Sequence, residues 1–415
     1  MPREGEAWAA AEAAARQSYG KLVAFLAART GDVAGAEDAL AEAFASALAD
    51  WPAKGVPASP EAWLMTVAKR RLVDAARRRK SGEAGARHLA LVADELAAAA
   101  DARVPDQRLL LMFACAHPGI DAEIRAPLIL RTILGLDAVA IGSAFLVAPA
   151  TMGQRLVRAK AKIRQARIPF RLPEPEELAE RVEAVLDAIY AAFSEGWTDP
   201  AGTETRRRQL SEETLWLGRL VVSLLPDEPE ALGLMALMLH AEARRAARRS
   251  ASGDYVPLAA QDPAVWDASL IDEAEALLRR AGAMGKPGRY QLEAAVQSAH
   301  IIRRKSGRAD WPAIERLYDA LFAMTASPVV AINRAIAVAE TRGPAAGLGA
   351  LDETAADPRI AEYQPYWAAR AELLVRAGDA AAARAAYDRA IGLEADPAVR
   401  RFLQQQRAVC GSKAK

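Results

Sequence analysis

The residues best placed to do chemistry form a cationic stretch. From Ala148 through Pro173 there is no acidic residue, while Arg155, Arg158, Lys160, Lys162, Arg164 and Arg167 follow one another behind Pro149. Cations at this density neutralise phosphates. Thr151 and Gln154, near the start of the same segment, are residue types that reach base edges in a major groove, with Arg155, Arg158, Lys160 and Lys162 as phosphate contacts. A second basic run, Arg77 to Lys80, ends an earlier helical segment, and Glu37, Asp38 and Glu42 lie on the polar side of another.

The cationic stretch needs a frame to hold it. Leu136 to Phe145 reads as a first helix, Leu146-Val147-Ala148 as a tight joint, and Pro149 to Ala166 as a second helix, a helix-turn-helix outline. Proline suits the first position of that second helix because its missing N–H would be orphaned there anyway. Met152, Leu156, Val157 and Ile163 are expected to pack on Ile141 and Phe145. Such an outline says little about which process it serves.

Other chemistries find little material. Cys115 and His117 are possible metal ligands, but no second Cys/His pair follows at zinc-site spacing, and the chain has four histidines in all. There is no phosphate-binding glycine loop ending in Lys-Ser/Thr and no His-Glu-x-x-His helix. Glu195, Glu230 and Asp262 are expected to cap helices or pair with arginines. No enzyme, metal or cofactor is expected.

The chain's 415 residues imply more than one domain. It is 52% hydrophobic but only 6% aromatic, rich in alanine and leucine, and no alternating strand pattern with hairpin turns occurs. The expected fold is all-α. Its 54 basic and 53 acidic residues nearly cancel, so any nucleic-acid surface must be local. Two distant cysteines, Cys115 and Cys410, fit a reducing compartment, so a cytoplasmic location is expected, with no secretory signal in Met1 to Arg16. No window approaches a membrane span; the apolar run Leu232 to Leu239 reads as a buried helix.

Ala36, Leu40, Ala43, Phe44, Ala47 and Leu48 give the first block one apolar face, and Trp63, Leu64 and Val67 sit at core spacing after Pro60. Trp51 is also expected to be structural. Near the C-terminus, Trp367, Ala371, Leu374, Ala383, Tyr387 and Ala390 match most landmarks of a tetratricopeptide unit.

These motifs carry a family resemblance. The segment 36–44, then Trp51-Pro52, Gly55-Val56-Pro57, Ala62-Trp63-Leu64, Ala68 to Arg71 and Asp74 to Arg79, resembles region 2 of extracytoplasmic-function sigma factors. The stretch from Phe113-Ala114-Cys115-Ala116-His117-Pro118 through Leu130-Arg131, Gly135-Leu136 and Ala144 to Val147, to Thr151–Ile163 and Ile168-Pro169-Phe170, resembles region 4. Leu225 to Leu234, Gln261-Asp262, Trp266, Tyr290-Gln291-Leu292, Ser327 to Val330 and Asn333-Arg334-Ala335 are similar to the C-terminal extension of the tetratricopeptide-like subgroup.

The resemblance implies a non-catalytic sigma factor that binds core RNA polymerase and promoter DNA. Glu37, Asp38 and Glu42 would contact the polymerase; Lys69, Arg70, Arg71, Arg77 and Arg78 would hold the opened minus-ten element, beside the loop Trp51 to Pro60. Region 4 would hold the minus-thirty-five duplex through Thr151, Gln154, Arg155, Arg158, Lys160 and Lys162. The implied domains are region 2 at 10–80, a linker at 81–105, region 4 at 106–171 and the extension at 174–410, which would take a regulatory protein or ligand. Ala140 stands where the family has a glutamate, and Pro263 where the subgroup tends to have arginine. Two rival readings are a helix-turn-helix regulator that never binds polymerase and a helical-repeat scaffold.

Overall fold

The computed structural model describes residues 2–79, 106–145, 147–197, 205–303 and 307–410; the whole of the expected linker, 81–105, falls outside them. Among the described residues the secondary structure is helical without strands, and Arg249 and Tyr255 make one isolated bridge. The chain divides into two compact units, 1–196 and 197–415.

The first unit begins with α1 (Pro2–Thr30), α2 (Val33–Lys54) and α3 (Pro60–Arg79). Asp32 starts α2 by accepting the Gly35 N–H at 2.9 Å, the side-chain cap that satisfies an otherwise orphaned donor. Ala36, Leu40, Ala43 and Ala47 bury the stripe that their spacing predicts, and α2 packs on α1 and α3, in which Leu22, Phe25, Leu26, Leu64, Met65 and Ala68 are likewise buried. Phe44 and Leu48 are only partly buried. Trp51 is buried and meets Trp63 edge to face, with ring centroids 5.5 Å apart; Trp63 itself is half-buried.

Then follow α4 (Arg108–Cys115), α5 (Ala122–Leu134), α6 (Ala138–Ala144), α7 (Pro149–Ala166) and α8 (Pro175–Trp197). These helices do not stand apart from the first three: α1 packs on α4 and α5, and α2 packs on α7. Gly20 makes the α1–α5 approach possible. A Cβ there would lie 1.9 Å from the carbonyl oxygen of Ile133, so the two backbones meet where no side chain fits. Buried Arg125 donates to the carbonyls of Ile120 (2.9 Å) and Pro118 (3.1 Å), fixing the turn into α5.

The second unit contains α9 (Thr205–Leu224), α10 (Pro229–Ala243), α11 (Ala268–Ala283), α12 (Arg289–Ile301), α13 (Trp311–Thr325), α14 (Pro328–Arg342), α15 (Pro344–Asp352), α16 (Gln364–Ala377), α17 (Ala380–Leu393) and α18 (Pro397–Val409). Glu228 caps α10 and Pro229 opens it. From Ala231 to His240 every residue of α10 is buried, as the apolar run predicts for a helix covered on all sides. Helices α9, α11 and α12 supply that cover. Glu230 accepts the N–H groups of Tyr290 (2.8 Å) and Gln291 (3.2 Å), capping α12 from α10.

Beyond α13 each helix packs on the next, a larger helical-repeat region. Ala371, Ala383, Tyr387 and Ala390 are buried in one cluster with Trp367 and Leu374 against them, so the landmarks of the repeat pattern meet in space. No helix among the described residues is long and apolar enough to cross a membrane.

Candidate nucleic-acid interface

Helices α6 and α7 form the helix-turn-helix outline. Asp137 accepts the N–H groups of Val139 (3.1 Å) and Ala140 (2.8 Å) to start α6. The Val147 N–H returns to the Gly142 carbonyl at 2.8 Å and closes the joint, and Pro149 opens α7. The buried stripe of α7 is Met152, Leu156, Ala159 and Ile163. Val157, expected in that stripe, is 70% exposed. Steps of four, three and four residues keep one helix face inward, and position 157 lies about 130° off its centre.

On the opposite side Thr151, Gln154, Arg158 and Lys162 are exposed and share one face at the same spacing. Arg158 has no ion-pair partner among the described residues. Arg155 pairs with Glu123 at 3.2 Å, Lys162 with Asp121 at 3.4 Å, and Arg164 with Asp32 at 3.9 Å. Nothing in the sequence announces these partners, because Asp121 and Glu123 read simply as the acidic start of α5.

Lys160 is placed differently from its neighbours. It turns away from the exposed stripe and pairs with Glu37 of α2; their side chains are 16% and 10% exposed. Glu37 is thus not on a solvent face as its polar neighbours suggested. Burial raises its carboxyl above the usual range, and the Lys160 charge opposes this. Burial, with the nearby Glu37 charge, likewise raises the phenol of Tyr19.

Asp38 and Glu42 are exposed on α2. Glu42 pairs with Arg71 of α3 at 3.3 Å, so one expected polymerase contact and one expected DNA contact hold each other. Arg70 is exposed. Lys69 lies 5.7 Å from the Phe25 ring centroid, and burial followed by the Arg29 charge lowers its ammonium pKa. Arg77 and Arg78 fall in the last turns of α3, and their side chains lie outside the described residues. The expected loop Trp51 to Pro60 is shorter in the structure: α2 accommodates Pro52 and runs on to Lys54, α3 starts at Pro60, and only 55–59, largely exposed, form the loop.

Cys115 is buried, its sulfur 3.5 Å from the Thr132 hydroxyl, and burial pushes its thiol up to about 12. His117 accepts the Gly119 N–H at 3.0 Å. Both residues therefore have structural roles. Sequence reasoning also missed a cleft of about 450 Å³ beside the start of α7, between Phe145, Val147, Met152 and Arg155 and the acidic Glu180 and Glu183 of α8.

Two stretches of the chain match known families. Residues 15–82, which span most of α1 and all of α2 and α3, match Sigma-70 region 2. Residues 181–282, from α8 to α11, match a family of unknown function, DUF6596. A domain of the first kind is non-catalytic and points to a transcription-related role. The chain is 38% identical over 378 residues to an uncharacterized protein of Rhizobium meliloti (strain 1021), covering 89% of each. It belongs to the same family as that protein. No solved structure matches it.

Proposed function

We propose that the chain is an alternative sigma factor of the extracytoplasmic-function type, which docks on core RNA polymerase and directs it to promoters. The observation that carries this is the Sigma-70 region 2 match over residues 15–82, coinciding with the three-helix bundle α1–α3. Asp38 and Glu42 give α2 an exposed acidic edge for a basic polymerase surface. Lys69, Arg70, Arg71, Arg77 and Arg78 would line the strand-opening side of α3.

Helix α7 would enter the duplex of the minus-thirty-five element with Thr151, Gln154, Arg158 and Lys162 leading. The pairs of Arg155 with Glu123 and Lys162 with Asp121 lie at the surface. Surface pairs contribute only about 0–1 kcal/mol, so phosphates can replace these carboxylates at little cost. Lys160 is occluded on Glu37, so it braces α7 rather than meeting a phosphate. The C-terminal helical region would modulate output by holding a partner or ligand.

Run-off transcription with purified core polymerase on DNA upstream of the chain's own gene tests the reading. A transcript from a fixed start that depends on the chain, and falls when Asp38 and Glu42 are both changed to lysine, is expected. A folded chain that neither binds core nor supports a transcript would overturn it. Arg155→Ala with Arg158→Ala should also weaken duplex binding and lower its salt slope by about one for each phosphate no longer neutralised.

A further inference from the structure

The second unit sets most of its arginines against carboxylates: Arg219 on Glu273, Arg249 on Asp396, Arg334 on Asp319 and Arg376 on Glu340. Arg244 and Arg303, near its middle, depart from that pattern, as does Arg248, which donates to the Trp197 carbonyl at 2.6 Å. Arg244, the first residue after α10, donates from Nε to the His240 carbonyl at 3.3 Å and from Nη2 to Oε1 of Gln297 at 2.5 Å. Arg303, just beyond α12, donates to the carbonyls of Leu258 (2.9 Å), Ala259 (3.2 Å) and Gln261 (2.6 Å), with its guanidinium carbon 5.4 Å from the Trp266 ring centroid.

Every one of these acceptors is neutral. Among the described residues neither Arg244 nor Arg303 has a carboxylate in ion-pair range, and Arg244 Nη1 has no acceptor. The nearby acids are committed elsewhere: Glu293 to Arg289 at 2.9 Å, Glu242 to Arg245 at 2.8 Å, and Glu275 to His240 at 3.3 Å. His300 lies on the same helix as Gln297, its ring edge-on to Trp311. Burial, then the Glu293 charge, raise the phenol of Tyr318 in α13, and the Arg244 charge opposes this. Arg244, Gln297, His300, Arg303 and Tyr318 are all half-buried, so the cluster is partly enclosed yet open to solvent.

The electrostatics agree with the geometry. Burial first, and then the Arg303 charge, draw Arg244 down to about 10. Burial, then Arg244 and Arg303, push His300 down to about 4. Concentrated positive charge without a counter-ion is costly to desolvate, and a guanidinium with a free edge is shaped to receive an oxyanion.

We propose that Arg244 and Arg303, with Gln297, His300 and Tyr318 around them, form a binding site for a small oxyanion, the phosphate or carboxylate group of a metabolite-sized ligand. The site lies in the second unit and does not depend on the sigma-factor reading, so a failed transcription assay would leave it untouched.

The test follows the imidazole of His300 by NMR in the full chain, assigned with His300→Gln, during pH titration in inorganic phosphate, in succinate and in chloride at matched ionic strength. A bound anion offsets the two guanidinium charges, so the His300 pKa should rise saturably by about one unit or more, a tenfold change in proton affinity. A response to phosphate alone identifies a phosphate site, and a response to succinate alone a carboxylate site. The rise should vanish in Arg244→Gln and in Arg303→Gln. Identical His300 titrations in all three salts would overturn the proposal, and so would a rise that survives both substitutions. The wild-type titration decides the matter even if a variant fails to fold.

Discussion

The junction of α2 with α7 in the first unit and the surroundings of α10 in the second both exclude water, but for opposite reasons. At the junction a carboxylate and an ammonium are buried together, and Glu37 Oε1 has no hydrogen-bond partner among the described residues. Of the buried residues of α10 itself, all but Pro229, Gly233 and His240 are Leu, Met or Ala. Apolar burial stabilises whatever its exact geometry. A buried ion pair is worth having only while both partners are in place, because its gain must first offset desolvation. The α2–α7 junction is therefore specific, whereas the α10 core is robust.

The sharpest way to break that contrast is to remove one charge. Lys160→Met should destabilise the first unit by about 3–5 kcal/mol, since it leaves Glu37 buried and unpaired, whereas Lys160→Met with Glu37→Leu should return close to wild type. Chemical denaturation of the two variants checks this, and equal destabilisation in both would remove the pair from the junction's energetics. Leu232→Ala, at a fully buried position of α10, should cost about 2–5 kcal/mol through reduced burial and a residual cavity, with no rescue by a partner change.

A third effect is confined to the second unit. His300 titrates near 4 in the folded chain, against an ordinary value of 6.5, so on acidification the unfolded chain takes up the proton first. The stability contributed by its neutral ring is complete above about pH 6.5 and is lost as pH falls towards 4, by at most about 3 kcal/mol. The fall in unfolding free energy across that window should be steep in wild type and shallower in His300→Gln. The smallest effect is expected at the exposed pair of Arg71 and Glu42, where Arg71→Ala should change stability by less than about 1 kcal/mol in the same denaturation experiment.

How much of this is legible in the sequence differs from helix to helix. Period and composition alone place Met152, Leu156 and Ile163 inward, and the unbroken apolar run identifies α10 as buried on all sides. Val157 departs from its expected place because two adjacent residues cannot both centre one stripe. Glu37 is legible in principle: it stands four residues after buried Val33 and three before buried Leu40, on the inner face of α2. Its charge argues for solvent, and its position argues more strongly against it. The acid partners of α7 and the carboxylate-free setting of Arg244 and Arg303 are not legible, because helical period reveals which way a residue faces but not what another helix brings to meet it.

The burial of α10 also has a consequence during synthesis. Its cover comes partly from α12, which ends at Ile301, 58 residues after α10 itself ends at Ala243. At about 5–20 residues per second, the ribosome leaves this apolar helix without its full partner for roughly 3–12 s. For that interval the nascent chain carries an adhesive segment, so the second unit matures late and as a whole. Chains stopped between α10 and α12 should be recovered with chaperones or in aggregates rather than as soluble fragments.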